Sequence, residues 1–247
     1  MSQDMNQGLT PAEEFIRYAI FDEGALEFPS GGHKLKSDRL SPYFFNAGQF
    51  NNGGAQEVLS FAYANVIAQH FERRYFFPFE KHNLLEFNLL YGPPYKGIML
   101  ATAIAMQLSR MGFEDTYFCS SRKETKEHGE GGVLFGAPID SGSRVVIVDD
   151  VITDGGTKAE AVEFIRSYGG QVTGLVIAFD RQERGTGTES AAQEFTRKYG
   201  VPVYSIATLT DLISFMRKKA IQSGPYKKGD DEVFKEIIAY QKEYGVS

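Results

Sequence analysis

The chain has 247 residues, 42% of them hydrophobic, with a formal net charge of −6 and a sequence pI of about 5.4. This composition can build the core of one α/β domain, and it excludes a global positive field that would attract nucleic acid or an anionic membrane. The single cysteine, Cys119, excludes an intramolecular disulfide. Because there is also no signal-like N-terminus and no apolar run of about 18 residues, we expect a cytoplasmic protein without a membrane span.

The first predicted element is a helix that begins after Thr10. Thr10 and Glu13 have the spacing of a capping box, and Pro11 suits the first helical position. Apolar side chains then recur at helical spacing through residues 12–20.

The rest of the chain alternates between strand-like and helix-like patterns. Strands are predicted at 25–28, 33–36, 84–92, 115–120, 144–150, 171–180 and 201–208, and helices at 54–72, 97–112, 157–170, 189–200, 209–220 and 230–244. Alternating strands and helices need right-handed crossovers, so we predict an α/β fold with a mostly parallel sheet covered on both faces. The aromatic segment 71–83 is interpreted as an insertion between helix and strand. Covering the core of the domain is the favoured role, and packing against another subunit is the alternative.

In such sheets, ligands bind outside the carboxyl ends of the strands. The four segments that follow predicted strands are all rich in charge, glycine or both. They are "YGPPYKG" (91–97), "SSRKETKEHGEGG" (120–132), "DDVITDGGT" (149–157) and "DRQERG" (180–185). The sequence therefore predicts one site at this edge of the sheet.

Two adjacent carboxylates, Asp149 and Asp150, follow the apolar strand of this edge. The chain lacks the glycine–lysine motif of a P-loop, and Ile152 and Ala161 occupy positions where a calcium loop needs oxygen ligands. What remains is a turn whose backbone N–H groups can cradle a phosphate, next to acids that suit sugar hydroxyls or a hydrated Mg²⁺. The pattern favours a sugar phosphate over an ordinary turn capped by Asp154.

The segment 120–132 mixes cations with acids and glycines. Arg122, Lys123, Lys126 and His128 alternate with three glutamates, so the segment is not a simple basic patch. A mobile loop of this kind can close over a site and exclude water. By residue pattern alone, a solvated surface loop stays the favoured interpretation.

Five segments, in order, resemble the motifs of the orotate phosphoribosyltransferases, which are type I phosphoribosyltransferases. They are "LKSDRLSPYFFNAG", "YGPPYKGI", "RKETKEHGEGG", "VDDVITDGG" and "FDRQERG", and the resemblance spans about 15–245. It implies a single domain over 1–247, with a small hood from about 1–50 plus parts of the C-terminus, a core at about 54–210 and a flexible catalytic loop.

The resemblance also implies an activity. It is the Mg²⁺-dependent transfer of ribose 5-phosphate from 5-phosphoribosyl 1-pyrophosphate (PRPP) to orotate, which gives orotidine 5′-monophosphate and pyrophosphate in pyrimidine synthesis. It implies a homodimer with shared active sites and no nucleic-acid partner. Two alternatives stay open: transfer to another base, and a non-catalytic regulator that binds nucleic acid, which the acidic composition disfavours.

The resemblance assigns roles to named residues. The catalytic residues are Lys126, His128 and Asp150. PRPP is expected to bind Lys36, Tyr95, Lys96, Arg122, Lys123, Lys126, His128, Asp149, Asp150, Val151, Ile152, Thr153, Asp154, Gly155, Gly156 and Thr157. Orotate is expected to bind Lys36, Phe44, Phe45, Thr153 and Arg181, whose planar guanidinium suits a carboxylate. Mg²⁺ is expected to be held mainly by PRPP, near Asp149 and Asp150, with no direct protein ligand assigned.

Several of these residues also have simpler interpretations. Phe44 and Phe45 fit a hydrophobic core, and only one of two successive strand residues can face a base. Arg181 could also form a salt bridge within its loop, and Cys119 is interpreted as a strand residue without a catalytic role. Four positions depart from the family pattern: Asp38, Leu40, Asp154 and Gly156. Asp38 could weaken an anion contact near Lys36 or pair with Arg39. At a helix N-terminus, Asp154 would compete with a phosphate for the same N–H groups.

Overall fold

The computed structural model describes residues 8–35, 37–73, 85–126, 132–152, 156–185, 187–223 and 230–246. The chain divides into two compact units. Unit 1 comprises Met1–Ala55, Phe179–Ser190 and Ala207–Ser247, and unit 2 comprises Gln56–Ala178 and Ala191–Ile206. The single domain with a hood and a core stays a prediction.

Seven α-helices, twelve strands and a 3-10 helix at Ala47–Gln49 occur in the described residues. The helices are α1 (Pro11–Phe21), α2 (Gly53–His70), α3 (Lys96–Arg110), α4 (Gly156–Ser167), α5 (Ala191–Tyr199), α6 (Leu209–Ser223) and α7 (Asp230–Tyr244). The strands are β1 (Leu26–Glu27), β2 (His33–Lys34), β3 (Leu40–Ser41), β4 (Phe44–Phe45), β5 (Phe71–Arg73), β6 (Leu85–Phe87), β7 (Leu89–Tyr91), β8 (Tyr117–Lys126), β9 (Gly132–Gly136), β10 (Arg144–Val151), β11 (Gln171–Asp180) and β12 (Val203–Thr208). No helix in these residues has the length and hydropathy needed to cross a bilayer.

The predicted capping box of α1 is confirmed. The Glu13 N–H donates to Thr10 Oγ1 at 3.2 Å, and the Thr10 N–H donates to Glu13 Oε2 at 2.8 Å. Glu13 is itself buried, and it accepts from Ser214 Oγ at 2.8 Å and from Lys218 Nζ at 2.6 Å. Burial alone would raise the pKa of Glu13, but the hydrogen bonds from Lys218, Thr10 and Ser214 lower it below 4.5. These contacts tie α1 to α6.

Aromatic rings build much of the core of unit 1. Phe45 is buried against Phe15, Phe50 and Phe179, with ring centroids 5.8–6.3 Å apart. Phe44 points the other way along β4, is half-buried, and stacks on His33 with centroids 3.8 Å apart. The period-two alternation of a strand therefore leaves Phe44, not Phe45, as the accessible ring.

The sheet of unit 2 has six strands in the order β12-β11-β10-β7-β8-β9. β10 is parallel to β7 and β7 to β8, whereas β9 is antiparallel to β8. Residues 145–148 of β10 are all buried, as expected for a strand with both faces covered. The α/β fold with a mostly parallel sheet is confirmed.

Three predicted boundaries were wrong. The helix predicted at 54–72 ends at His70, and strand β5 begins at Phe71. Residues 84–92, predicted as one strand, contain β6 and β7, and β6 pairs in parallel with β5. β8 continues to Lys126, six residues beyond the predicted strand, because it pairs with β9, which the sequence pattern did not indicate. Residues 127–131, the middle of the predicted loop, lie outside the described residues, as do 74–83 of the predicted insertion.

Candidate active site

Two adjacent acids end the central strand of unit 2. Asp149 Oδ1 accepts the N–H of Asp150 at 2.9 Å, and Asp150 Oδ1 accepts the N–H of Val151 at 2.8 Å. The second oxygen of each carboxylate accepts from a lysine, with Lys158 Nζ 2.6 Å from Asp149 Oδ2 and Lys96 Nζ 2.9 Å from Asp150 Oδ2. Both acids therefore have the same arrangement, one backbone donor and one lysine, and the four side chains sum to zero charge.

The two pairs differ in their access to solvent. The side chains of Asp149 and Lys158 are each 10% exposed, whereas those of Asp150 and Lys96 are 17% and 54% exposed. Burial raises the pKa of Asp149, Lys158 opposes this, and the neighbouring Asp150 adds to it. The inner pair is thus a buried structural ion pair, and the outer pair is open to exchange with a ligand.

A buried tyrosine forms a hydrogen bond to the main chain at the acid pair. Tyr63 of α2 donates its hydroxyl to the main-chain oxygen of Asp149 at 2.7 Å, and its side chain is fully buried. Burial raises the pKa of Tyr63 well above 10, and the charges of Asp150 and Asp149 raise it further. The phenol therefore stays protonated and remains a donor.

The segment "GPPYKG" forms a tight loop between β7 and α3. A Cβ on Gly92 would lie 1.8 Å from the main-chain oxygen of Gly97, and a Cβ on Gly97 would lie 2.7 Å from the carbonyl carbon of Gly92. Only glycine fits where two backbone segments touch this closely. The closed loop places Tyr95, which is 68% exposed, and Lys96 at the start of α3.

The cationic segment lies on β8. Arg122 is half-buried, with its guanidinium 5.2 Å from the ring centroid of Phe135 on β9. Lys123 and Lys126 belong to β8, but their side chains lie outside the described part of the structure. His128 lies outside it entirely, so the roles of these three residues stay predictions.

Arg181 is the centre of a buried cluster in unit 1. Its Nη2 donates to Ser41 Oγ at 2.7 Å and lies 2.6 Å from Glu183 Oε1, which also accepts from Nε at 2.8 Å. The guanidinium lies 4.2 Å from the ring centroid of Tyr43. The loop salt bridge, one of the two interpretations of Arg181, is present. Nη1 donates to the Tyr43 carbonyl oxygen at 3.5 Å, which is the longest hydrogen bond of the guanidinium to the described residues.

A second arginine shares Glu183. Arg39 Nη1 lies 3.8 Å from Glu183 Oε2, and Arg39 donates to the carbonyl oxygens of Arg184 and Gly185. Two arginines around one carboxylate leave a net charge of +1. The suggested pairing of Asp38 with Arg39 was wrong, because Asp38 pairs with Lys34 at 2.8 Å. Asp38 has a φ of 62°, a left-handed conformation that suits the glycine usual in the family.

The C-terminus packs on the same cluster. Tyr240 of α7 meets Tyr43 edge to face with centroids 6.1 Å apart, and the N–H of Val246 donates to the carbonyl oxygen of Gln182. The Tyr240 hydroxyl is buried and has no hydrogen-bond partner among the described residues. Burial raises its pKa to about 12, with Glu183 raising it and Arg181 lowering it.

Comparisons with known proteins identify the family. Residues 66–196 match the model of the phosphoribosyl transferase domain. The chain is 44% identical to the orotate phosphoribosyltransferase of Thioalkalivibrio sulfidiphilus over 237 residues, which cover 96% of this chain and 99% of the relative. The chain belongs to the orotate phosphoribosyltransferase family.

Other members of this family support the assignment. The orotate phosphoribosyltransferase of Bordetella avium is 42% identical over 246 residues, 95% of this chain and 98% of its own. A crystal structure of orotate phosphoribosyltransferase from Francisella tularensis matches with a TM-score of 0.75 and 27% identity, over 94% of this chain and 99% of that one. The resemblance in the sequence motifs is confirmed, and with it membership of a family of pentosyltransferase enzymes.

The structure places the other predicted residues of this phosphoribosyltransferase as follows. Ile152 is a core residue, so only its backbone is available to a ligand, and Val151 is half-buried. Gly156 and Thr157 are exposed at the start of α4. Lys36, Thr153, Asp154 and Gly155 lie outside the described residues, and the predicted competition of Asp154 with phosphate stays a prediction.

Sequence reasoning missed several partners of the site residues. Lys158 had a detectable signal, because it lies three residues before Ala161 on the buried stripe of α4. Glu183 lies two residues from Arg181 and had a local signal too. The roles of Tyr63, Ser41 and Tyr240 had none, since each depends on a contact between residues distant in the chain. Cys119 is a buried thiol whose pKa burial raises to about 12, which fits the quiet strand residue expected.

Proposed function

We propose that this enzyme transfers the ribose 5-phosphate group of PRPP to orotate, giving orotidine 5′-monophosphate and pyrophosphate. The observation that carries the proposal is the pair of acids at the end of β10, each held by a backbone donor and a lysine. The proposal is supported by the names of the relatives, which are 40% to 44% identical over nearly their full length.

In this proposal, Asp149 and Asp150 bind the ribose hydroxyls. A carboxylate has about four lone-pair sites, and each acid here uses one on a backbone N–H and one on a lysine, so acceptor sites remain for hydroxyl donors. The first turn of α4, which begins at Gly156, would take the 5′-phosphate, because its N–H groups and dipole favour an anion. Lys96 would release Asp150 and bind pyrophosphate.

Mg²⁺ is proposed to reach the site on PRPP. Within the described ranges, no three His, Cys, Asp or Glu side chains are grouped as a metal site would require. Asp149 and Asp150, each already bonded to a lysine, fit a hydrated ion held chiefly by phosphate oxygens. When bound, the ion would supply neutralisation of the charge that develops on the leaving pyrophosphate.

The protein's own cations are proposed to do the remaining electrostatic work. Negative charge grows on pyrophosphate as its bond to the ribose anomeric carbon breaks, so fixed cations stabilise the transition state more than the ground state. By resemblance, Lys126 and His128 have this role, with Arg122 and Lys123 binding phosphate oxygens. Closure of the segment over the site would protect the activated sugar from water.

Base recognition is proposed to rest on Arg181. Among its guanidinium nitrogens, Nη1 makes the longest hydrogen bond to the described residues, at 3.5 Å. The net charge of +1 on Arg39, Glu183 and Arg181 suits a monoanion. Burial lowers the pKa of Arg181, but Tyr43 and Glu183 raise it by more, so the guanidinium stays charged. Phe44, the accessible ring of β4, would contact the base.

We further propose a homodimer in the cytoplasm. Two exposed methionines of α3, Met99 and Met106, and Phe61 of α2 give unit 2 an apolar surface. An ion pair between Arg110 and Glu57 links the same two helices. A second copy would cover these side chains. Sedimentation equilibrium should give a dimer for the wild type and a shift towards monomer for Met106→Glu.

The activity is tested by following the loss of orotate absorbance with PRPP and Mg²⁺. Turnover with orotate and none with adenine or uracil is the expected result. Turnover with a purine and none with orotate would overturn the proposal. Mixing without PRPP is the control.

A further inference from the structure

Lys158 occupies an unusual position for a lysine. It is 8% exposed, and it lies on the buried stripe of α4 with Ala161, Val162 and Ile165. A buried ammonium is costly unless it is paired, and a cation in the first turn of a helix is disfavoured by the helix dipole. The only ion pair of Lys158 in the described residues is with Asp149, at 2.6 Å, so Asp149 explains its position.

The buried pair of Lys158 and Asp149 differs from the exposed pair of Lys96 and Asp150 in how firmly it holds the carboxylate. Lys96 is 54% exposed and can leave Asp150 for an incoming anion, whereas Lys158 is enclosed with Asp149. Asp149 Oδ1 is held by the Asp150 N–H and Oδ2 by Lys158, which fixes the plane of the carboxylate. Without Lys158, an anionic substrate would meet an uncompensated acid, and the carboxylate would lose one of its two fixed donors.

We propose that Lys158 is a positioning residue for PRPP: it fixes and neutralises the Asp149 carboxylate, to which the ribose hydroxyls bind, and does not contact the substrate itself. This inference rests on the proposed function. Burial raises the pKa of Asp149, and Lys158 is the group that opposes this most strongly, which supports a role in keeping the acceptor ionised.

The test compares Lys158→Met, which keeps the unbranched stem and removes the charged ammonium, with Lys158→Arg, which keeps the charge. Calorimetry with PRPP and Mg²⁺, without orotate, gives the Kd, and steady-state assays give kcat and both KM values. Lys158→Met should raise the Kd and KM of PRPP about 10- to 30-fold, with the orotate KM within about twofold, and Lys158→Arg should recover most of the loss. Unchanged PRPP affinity in Lys158→Met would overturn the inference.

A double-mutant cycle tests whether Lys158 acts through Asp149. In an Asp149→Asn background, Lys158→Met should have no further effect on the PRPP Kd. Each single variant leaves one buried charge unpaired and the double variant leaves none, so thermal unfolding of all three is measured first. If Lys158→Met alone does not fold, Lys158→Gln, which keeps a hydrogen-bond donor, takes its place in the cycle. Equal losses in both backgrounds would overturn the inference, because Lys158 would then act independently of Asp149.

Lys218→Met is the matched control. Lys218 makes an equally short pair, 2.6 Å from Glu13, but no motif assigns either residue to a substrate. Lys218→Met should lower the Tm and leave the PRPP Kd unchanged. If Lys218→Met raised the PRPP Kd as much as Lys158→Met does, the effect of Lys158→Met would be explained by general destabilisation. Wild-type protein that binds PRPP without consuming orotate would refute the proposed function and leave the role of Lys158 to be judged by the Kd values.

Discussion

The acid pair of unit 2 and the arginine cluster of unit 1 hold their charges in different ways. Lys96 reaches Asp150 through one contact and is 54% exposed. Arg181 is held by Glu183, Ser41 and the face of Tyr43, and its side chain is 10% exposed. One region offers charge that can be redistributed, and the other offers charge in a fixed geometry.

The difference matches the two kinds of ligand in the proposed reaction. A pyrophosphate group that arrives with Mg²⁺ brings its own charge, and displacing an exposed ion pair costs little. A planar carboxylate on a base is recognised by direction as well as charge, and a guanidinium held in advance loses little entropy when it binds. In the proposed reaction, the fixed guanidinium of Arg181 therefore selects the base, and the exchangeable lysine Lys96 binds the pyrophosphate of PRPP.

Arg181→Lys should have the largest effect, because it keeps the charge and removes the fixed fork. We expect orotate kcat/KM to fall about 100-fold, since a hydrogen bond from a charged guanidinium held in place, worth about 2–3 kcal/mol, is lost. PRPP affinity should stay within about twofold. Steady-state kinetics with each substrate varied, together with calorimetry for PRPP, separates the two effects.

Arg184→Lys is the control for this variant. Arg184 is exposed and donates to the Glu243 carbonyl oxygen, so its charge lies in the same motif outside the cluster. Its kinetics should match the wild type. Equal losses for both arginines would contradict a special role for the fixed geometry.

Gly92→Ala should have the second largest effect, because the position of Lys96 in unit 2 depends on the backbone of the loop between β7 and α3. The new Cβ would lie 1.8 Å from the Gly97 carbonyl oxygen, so the loop that carries Lys96 must open. We expect a loss of about 1–3 kcal/mol in stability and a PRPP KM raised about 10- to 30-fold. Chemical denaturation and steady-state kinetics measure the two losses.

Gly54→Ala provides the control for Gly92→Ala. A Cβ at Gly54 meets only Asn52 Oδ1, at 3.5 Å, which is ordinary contact. Its stability and kinetics should match the wild type. A Gly92→Ala enzyme with normal PRPP use would show that the loop closes in some other way.

Elements with strong local patterns could be predicted from the sequence. The capping box predicted the start of α1, and the apolar runs predicted β10 and β11. The predicted bounds of these two strands differ from the observed ones by no more than one residue. β9 and the extension of β8 could not be predicted, because three apolar residues between two glycines become a strand only by pairing. The two short strands within 84–92 were merged for the same reason, since β6 depends on β5.

The candidate site shows the same division. The acids and glycines of the motifs are local, and they could be assigned by resemblance. The partners that fix them are distant: Ser41 is 140 residues from Arg181, and Tyr63 is 86 residues from Asp149. Lys158 was missed although its signal was local, because a lysine is taken as a surface residue even when it lies on a buried helical stripe.

Lys96→Gln should have a smaller effect, because the exposed pair contributes little to stability. We expect less than about 1 kcal/mol of lost stability and a PRPP KM raised about 10-fold, with orotate KM unchanged. Added salt should reduce the difference from the wild type, since the interaction is screened. Lys198→Gln, an exposed lysine of the same unit, should leave both KM values unchanged. A stability loss well above about 1 kcal/mol would contradict the exchangeable character of the pair.

Glu13→Gln should have the smallest effect on activity, because it breaks a buried ion pair that belongs to neither region. The pKa of Glu13 lies below its ordinary value of 4.5, so folding favours the ionised form. Its contribution is therefore fully present above about pH 4.5 and is lost as the pH falls through the lowered pKa. At neutral pH, the loss of hydrogen bonds to a charged group should cost about 1.5–3 kcal/mol.

In urea titrations, the stability gap between the wild type and Glu13→Gln should be constant above about pH 4.5 and should shrink as the pH falls below it. Both KM values should stay constant, since α1 and α6 are joined by this contact and no motif residue takes part in it. A gap that did not change with pH would mean that the Glu13 charge adds nothing to its hydrogen bonds. A changed PRPP KM would mean that breaking any buried ion pair affects PRPP binding. The difference between the fixed charges of unit 1 and the exchangeable charges of unit 2 would then not explain the effects of the other variants.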